Sequence, residues 1–149
     1  MIIISACLCG CNCKYNGKNN KNEQCIKLFK AGKAVLICPE QLGGMATPRL
    51  PSEIRKEEVF TNEHENVTNN FIRGAEESLN IAKIVNAKFA ILKNGSPSCG
   101  SSLIYDGTFQ NKKIKGEGFT TKLLRKNGIE VYGEDEINEE ILANISIKK

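Results

Sequence analysis

No apolar run in this 149-residue chain approaches the about 20 residues that a membrane-spanning helix needs. The apolar start, Ile2-Ile3-Ile4, is only a few residues long, lacks a basic leader and runs straight into Cys7, so it does not read as a secretory signal. Together these absences point to a cytoplasmic, reducing setting, where cysteines serve as ligands or nucleophiles more often than as disulfide partners. A total of seven cysteines, an odd number, also argues against a complete disulfide framework. Histidine is nearly missing: His64 stands alone in a polar stretch and reads as solvated loop. A strong charge of one sign is missing too. The net charge is +4 with scattered lysines, which fits a solvated surface better than a nucleic-acid face. No internal repeat or linker divides the chain, so one domain over residues 1–149 is expected, large enough to bury a core without staples.

What is present alternates. Strand-like runs at Ile2–Ala6, Ala34–Ile37, Lys88–Leu92 and Ile129–Tyr132 are separated by helical patterns. The helices fall at about Glu23–Ala31, Asn69–Val85, Thr120–Lys126 and Ile137–Ile145. Phe71, Ile72, Ala75, Leu79, Ala82 and Val85 recur at three- and four-residue steps, with Thr68 as the expected N-cap. Strands alternating with helices make βαβ units, so the expected fold is a single-domain, three-layer α/β Rossmann-like fold with a mostly parallel sheet of about four core strands. Two connections, Gln41 to Val67 and Gly95 to Gly118, show little regular pattern. Each leaves from the carboxyl end of a strand, the side on which open α/β sheets bind ligands, so both are expected to be functional.

Three cysteines stand just past those strand ends: Cys7 after the first, Cys38 after the second, and Cys99 after the third through a Gly/Ser/Pro loop. In a parallel sheet these ends face one crevice, and three soft thiolates converging there suggest a metal or iron–sulfur centre. A zinc site built from Cys7, Cys9, Cys11 and Cys13 alone is the plainer alternative, but zinc loops favour C-x₂-C pairs over this C-x-C repeat. A Cys-x₅-Arg phosphatase signature is absent, since the arginine position holds Cys13 counted from Cys7 and Tyr15 counted from Cys9. Cys25, inside a short helix, reads as packing.

Around the three cysteines lie polar groups with possible roles. Glu40, two residues beyond Cys38, brings a carboxylate into the crevice, where it can act as general base on water. Arg49, set between Pro48 and Pro51, is placed either to clamp an acidic or carbonyl group or to pair with Glu53. Ser98 and Ser101 flank Cys99 and offer hydroxyls beside its sulfur. Gly116-Glu117-Gly118, ahead of a helix, is a weak anion-site signal that also reads as a turn.

Several segments taken together resemble a known family. They are Ser5-Ala6-Cys7-Leu8 with Gly10, Cys13-x-Tyr15-x-Gly17, Cys38-Pro39-Glu40 with Gly43-Gly44 and Thr47-Pro48-Arg49-x-Pro51-x-Glu53-Ile54, Phe71-x-x-Gly74-Ala75, Leu92-Lys93-x-x-Ser96-Pro97-Ser98-Cys99-Gly100, and Ile104-Tyr105-Asp106-Gly107-Thr108-Phe109. In this order they resemble the thiouracil desulfurase family of small prokaryotic proteins, from Ile2 to about Val131. Cys9, where the family usually has an aliphatic residue, and the extra Cys11 depart from its pattern.

The resemblance implies a 4Fe-4S cluster on three protein cysteines, assigned to Cys7, Cys38 and Cys99, with Cys13 as the substitute. It further implies non-redox removal of sulfur from a small thiolated base such as 2-thiouracil. Glu40 would be the base, with Asp106 or a serine beside Cys99 next in line; Ser98 or Ser101 would bind substrate or relay the proton; Ser5, Arg49 and Asn94 would be substrate contacts. The alternatives are a sulfur-carrier or thiolation enzyme and a structural zinc or cluster module. No membrane and no nucleic acid is expected as a partner, and the sequence sets no oligomeric state.

Overall fold

The structure, a computed structural model, describes residues 1–147. The chain runs β1 (Ile2–Ser5), α1 (Glu23–Lys30), β2 (Ala34–Ile37), α2 (Pro39–Leu42), β3 (Ser52–Arg55), β4 (Glu58–Thr61), α3 (Thr68–Ile84), β5 (Phe89–Leu92), β6 (Leu103–Tyr105), β7 (Lys113–Lys115), α4 (Phe119–Lys126), β8 (Glu130–Gly133) and α5 (Glu139–Ile147). One-turn 3₁₀ segments, Ala6–Cys9 and Glu134–Glu136, follow β1 and β8.

The core is a four-stranded sheet in the order β2-β1-β5-β8, parallel throughout, with Ile3 of β1 registered between Val35 and Ala90. The two inner strands, IIIS and FAIL, are buried along their whole length. Strands covered on both faces need apolar side chains on both, which is why they read as continuous runs rather than alternating ones. On one face Ile3, Ala90, Leu92 and Val131 pack with Ala82 of α3 and Leu124 of α4. On the other, Ile2, Ile4, Phe89 and Ile91 pack with Cys25 of α1 and Ile145 of α5. This is the expected three-layer α/β architecture. The chain steps from β1 outward to β2 and then crosses back to β5, so the strand order reverses between β1 and β5 and opens a crevice at their carboxyl ends.

Three local expectations are corrected. Thr68 does not cap α3. It is the first helical residue, and its hydroxyl accepts the Val59 N–H at 2.9 Å and donates to Asn66 Oδ1 at 2.6 Å, tying the helix to β4. The last helix starts at Glu139 rather than Ile137, because Asn138 Oδ1 accepts the Ile141 N–H at 2.9 Å and so supplies the cap. The two long connections are not patternless: each contains an antiparallel hairpin, β3–β4 and β6–β7.

Helix α2, which carries Glu40, is seated against α3 at a contact only glycine permits. A Cβ on Gly74 would run into the Pro39 carbonyl oxygen, and one on Gly43 into the Asn70 carbonyl oxygen. Gly→Ala inside an exposed helix ordinarily stabilises by about 1 kcal/mol. Gly74→Ala is expected to reverse that sign and cost about 1–3 kcal/mol, the range for overpacking a tight contact. The denaturant midpoint of the variant checks it, and a gain in stability would show that the helices separate freely.

Candidate active site at the carboxyl edge of the sheet

A cavity of about 570 Å³ opens at the carboxyl ends of β1, β2 and β5. Cys7, Cys38 and Cys99 all line it, as does Cys13. Each is delivered by a different piece of local structure. Cys7 lies in the 3₁₀ turn that ends β1; Cys38 is the extended N-cap residue of α2, with Pro39 fixing the first turn after it. Cys99 is held by a loop after β5 that folds back on itself, with the Cys99 and Ser98 N–H groups both donating to Ser96 Oγ at 3.1 Å.

The cysteines at alternate positions 7, 9, 11 and 13 divide: Cys7 and Cys13 reach the cavity, Cys9 and Cys11 do not line it. A single zinc held by all four therefore has no geometric basis. Among the described residues, no three Cys, His, Asp or Glu side chains meet where one metal ion would sit. Cys7, Cys13, Cys38 and Cys99 share the cavity wall. No histidine lines the cavity, and His64 is exposed at φ 66°, as a solvated loop residue should be. Cys25 is fully buried in the apolar cluster with Leu8 and Ile91 and does not line the cavity, a packing residue.

Each cavity sulfur has a polar neighbour. Asn20 Nδ2 donates to Cys7 Sγ at 3.5 Å, and Ser5 Oγ and Ser98 Oγ lie 3.3 and 3.6 Å from Cys99 Sγ. Burial pushes the Cys99 thiol up to about 12, against the opposing pull of the Ser5 and Ser98 hydroxyls. Burial also raises Cys7. Cys38 is held below its ordinary value by a hydrogen bond from Cys13, aided by the Gln41 N–H and the Arg49 charge, while Cys13 is raised in return.

Glu40 is gripped at both oxygens. Arg49 Nε donates to Oε1 at 2.9 Å, and Ser98 Oγ donates to Oε2 at 2.9 Å. The hydroxyl chain continues to Ser96 Oγ, 2.8 Å from Ser98 Oγ. Of the two roles read for Arg49, the clamp on an acidic group and carbonyls holds, but on those of the protein itself, and the pairing with Glu53 does not. Its partner is Glu40 rather than Glu53, and its remaining donors go to the Cys13 carbonyl at 2.8 Å, Thr47 Oγ1 at 2.8 Å and the Ala46 carbonyl at 3.3 Å. With the guanidinium so engaged, Arg49 orients the carboxylate and braces the Cys13 backbone; it is not a free clamp for substrate.

Other assignments move as well. Asn94 lines the cavity, but its Oδ1 accepts from the N–H groups of Gly95, Ser101, Ser102 and Leu103, and its Nδ2 donates to Ser102 and Asp135. It organises the loop and has no capacity left for a substrate. Ser101 does not line the cavity, and its hydroxyl donates to Glu136 at 3.0 Å. Ser5 sits between the Lys93 N–H and Cys99 Sγ, a support for the sulfur more than a substrate contact. Asp106 lies off the cavity and holds its own turn through Thr108. The glycine pair before α4 is no anion site. Gly118 packs on the Ser98–Cys99 peptide, where a Cβ would clash, and the Phe119 and Thr120 N–H groups donate to the carbonyls of Pro97 and Ser98.

The structure also adds residues to the lining that the sequence reading did not single out: Lys93, paired with Glu134 at 2.8 Å, and Tyr105, Phe109 and Lys113 from the second hairpin. A lysine directly after a buried strand and two aromatics in a Gly/Asp turn motif were the signals available for them.

A parallel α/β sheet with thiols gathered at its carboxyl edge, and a clamped carboxylate–hydroxyl chain beside them, defines a soft-metal enzyme of the Rossmann-like class. The chain belongs to the 2-thiouracil desulfurase family, whose model matches residues 2–136. It is 44% identical over 149 residues to the uncharacterized protein YbbK of Bacillus subtilis (strain 168), covering 93% of this chain and 99% of that protein. Among solved structures it is similar to a 4Fe-4S-dependent thiouracil desulfidase, TudS, with a TM-score of 0.91 and 44% identity over 96% of each chain. Among the described residues no helix is long and apolar enough to cross a membrane.

Proposed function

We propose that this protein is an iron–sulfur-dependent hydrolytic desulfurase acting on a thiolated nucleobase such as 2-thiouracil, working as one domain over residues 1–149 in the cytoplasm. The observation that carries this reading is the Glu40 carboxylate joined to Ser98 at 2.9 Å, beside Cys99 in a cavity walled by four thiols. A purely structural metal module has no use for a carboxylate clamped between an arginine and a serine. A sulfur carrier that only holds hydrosulfide on the open iron has no use for a carboxylate and hydroxyl poised to move a proton from water.

The donor set fits a 4Fe-4S cluster: soft, buried or half-buried thiols on one cavity wall, with hydrogen-bond donors to two of the sulfurs. Cys7, Cys38 and Cys99 would hold it. Bound by three protein thiolates, the cluster would supply an iron free to act as a thiophilic Lewis acid toward the thiocarbonyl. The remaining work belongs to the protein. Glu40, oriented by Arg49, takes a proton from the water that adds to the thiocarbonyl carbon. Ser98 passes protons between Glu40 and the substrate side, with Ser96 next along the chain. In balance, a thiocarbonyl and water give a carbonyl and hydrogen sulfide, and no electrons change hands.

Protein prepared without oxygen is expected to contain iron and acid-labile sulfide and to release hydrosulfide from 2-thiouracil, leaving uracil, with no added reductant. Cluster-loaded protein that leaves 2-thiouracil intact would overturn the activity.

A further inference from the structure

Both hairpins contribute to the cavity wall, and one aromatic there is held in a backbone conformation that needs support. Phe109 lines the cavity with φ at 58°, a left-handed value uncommon for a bulky residue. Such backbone persists only where surrounding structure over-determines it, and it gathers at ligand clamps. Here the support is visible. Glu53, buried to 9% exposure on β3 of the other hairpin, accepts the Phe109 N–H at 3.1 Å and the Gly107 N–H at 3.0 Å through the same oxygen, Oε1. One carboxylate thus ties the two hairpins together and fixes where Phe109 projects.

The rings around the cavity are not equivalent. Tyr15 and Tyr105 also line it, but Tyr15 is 44% exposed and has no positive φ, and the Lys113 ammonium stands 5.5 Å from the Tyr105 ring centroid. Phe109 makes no ring–ring or cation–ring contact among the described residues. A half-buried phenyl face with no aromatic partner, locked at the rim of a cavity meant for a flat heterocycle, has the geometry of a stacking platform.

We infer that Phe109 stacks on the planar ring of the base and is a specificity-determining residue, with Glu53 as the positioning residue that holds it. The inference deepens the desulfurase reading and rests on it. Stacking on an aromatic side chain rewards a flat, conjugated ring irrespective of its hydrogen-bonding edge. The informative comparison is therefore uracil against 5,6-dihydrouracil, which presents the same carbonyl and N–H edge on a puckered, saturated ring.

The test is calorimetric binding of these two ligands to anaerobic, cluster-loaded protein. Wild type is expected to prefer uracil by about tenfold, within the range that losing one base–aromatic stack produces. Phe109→Leu keeps a Cβ, so the backbone cost at this φ is unchanged, and it should bring the ratio close to one. Phe109→Tyr should retain the preference. Glu53→Gln should lower it, and the Glu53→Gln/Phe109→Leu double variant should be no worse than Phe109→Leu alone, because Glu53 acts through Phe109. For 2-thiouracil turnover, Phe109→Leu should raise KM about tenfold while kcat changes by no more than a few-fold.

An unchanged uracil-to-dihydrouracil ratio in Phe109→Leu would overturn the inference, as would a wild type that does not bind uracil. Uracil binding with the expected preference, but no hydrosulfide release from 2-thiouracil, would fail the desulfurase reading alone.

Discussion

Cys99→Ser is expected to leave the protein unable to hold its iron. Cys99 is 4% exposed, and its sulfur is approached by the Ser5 and Ser98 hydroxyls at 3.3 and 3.6 Å. A serine there fits the space, but an alkoxyl group is a hard and weakly acidic donor where iron–sulfur chemistry needs a thiolate. Cys7→Ser and Cys38→Ser should have the same consequence, since each removes one of three ligands that come from separate strand ends. Cys25→Ser is the internal control. It does not line the cavity, so iron and sulfide should stay, while burying a hydroxyl in the apolar pocket beneath α1 costs about 1–3 kcal/mol of stability. Cys13→Ser should also keep the cluster, because Cys13 is bound up with Cys38 as a hydrogen-bonding neighbour. Iron and sulfide content with the visible spectrum of each anaerobic variant decides the matter. Full iron in Cys99→Ser would overturn the ligand assignment, and loss in Cys13→Ser with retention in Cys7→Ser would pass the third position to Cys13.

The parts of this site that could be read in the sequence are those fixed by the sheet. Ile2–Ser5, Ala34–Ile37 and Phe89–Leu92 are short apolar runs bounded by turn residues, and a parallel sheet sends all their ends to one edge. A cysteine immediately past such a run is brought to the crevice, and Glu40 follows Cys38 by two residues. Pairings made across loops carried no such constraint. Glu40 and Arg49 meet through a segment with no periodicity, so Glu53, four residues from Arg49, looked an equally good partner. The hairpins were hidden for local reasons. The β3–β4 turn uses Lys56 and Glu57 at φ 50° and 65° where Asn-Gly or Asp-Gly is the usual signal, and β6 and β7 are three residues each, with β7 exposed throughout. Asn94 and Ser101 were misread because a polar residue beside a catalytic loop looks the same whether it faces substrate or satisfies backbone. Four N–H groups converging on Asn94 Oδ1 become visible only when the loop is folded.

Glu40→Gln tests the chemistry rather than the scaffold. The amide has the size of the carboxylate, and its oxygen can still accept from Arg49, now 2.9 Å from Oε1. α2 should therefore stay in place, and neither Cys38 nor Cys99 loses a bond. What changes is that the amide cannot take a proton from water near neutral pH, and its NH₂ points a donor at the Ser98 hydroxyl that formerly donated to Oε2. The hydroxyl chain from Glu40 through Ser98 to Ser96 then runs in the wrong sense. General acid–base assistance is worth about 10²–10⁴-fold, so hydrosulfide release from 2-thiouracil is expected to slow by at least about 100-fold with iron content and uracil affinity near wild type. Ser98→Ala should fall short of that, because water can replace a hydroxyl in a relay but nothing nearby replaces the base: Asp106 is off the cavity, and Glu53 is engaged with Gly107 and Phe109. A fully loaded Glu40→Gln protein with unchanged turnover would remove Glu40 from the reaction and leave Arg49 and Ser98 holding a carboxylate of purely structural use.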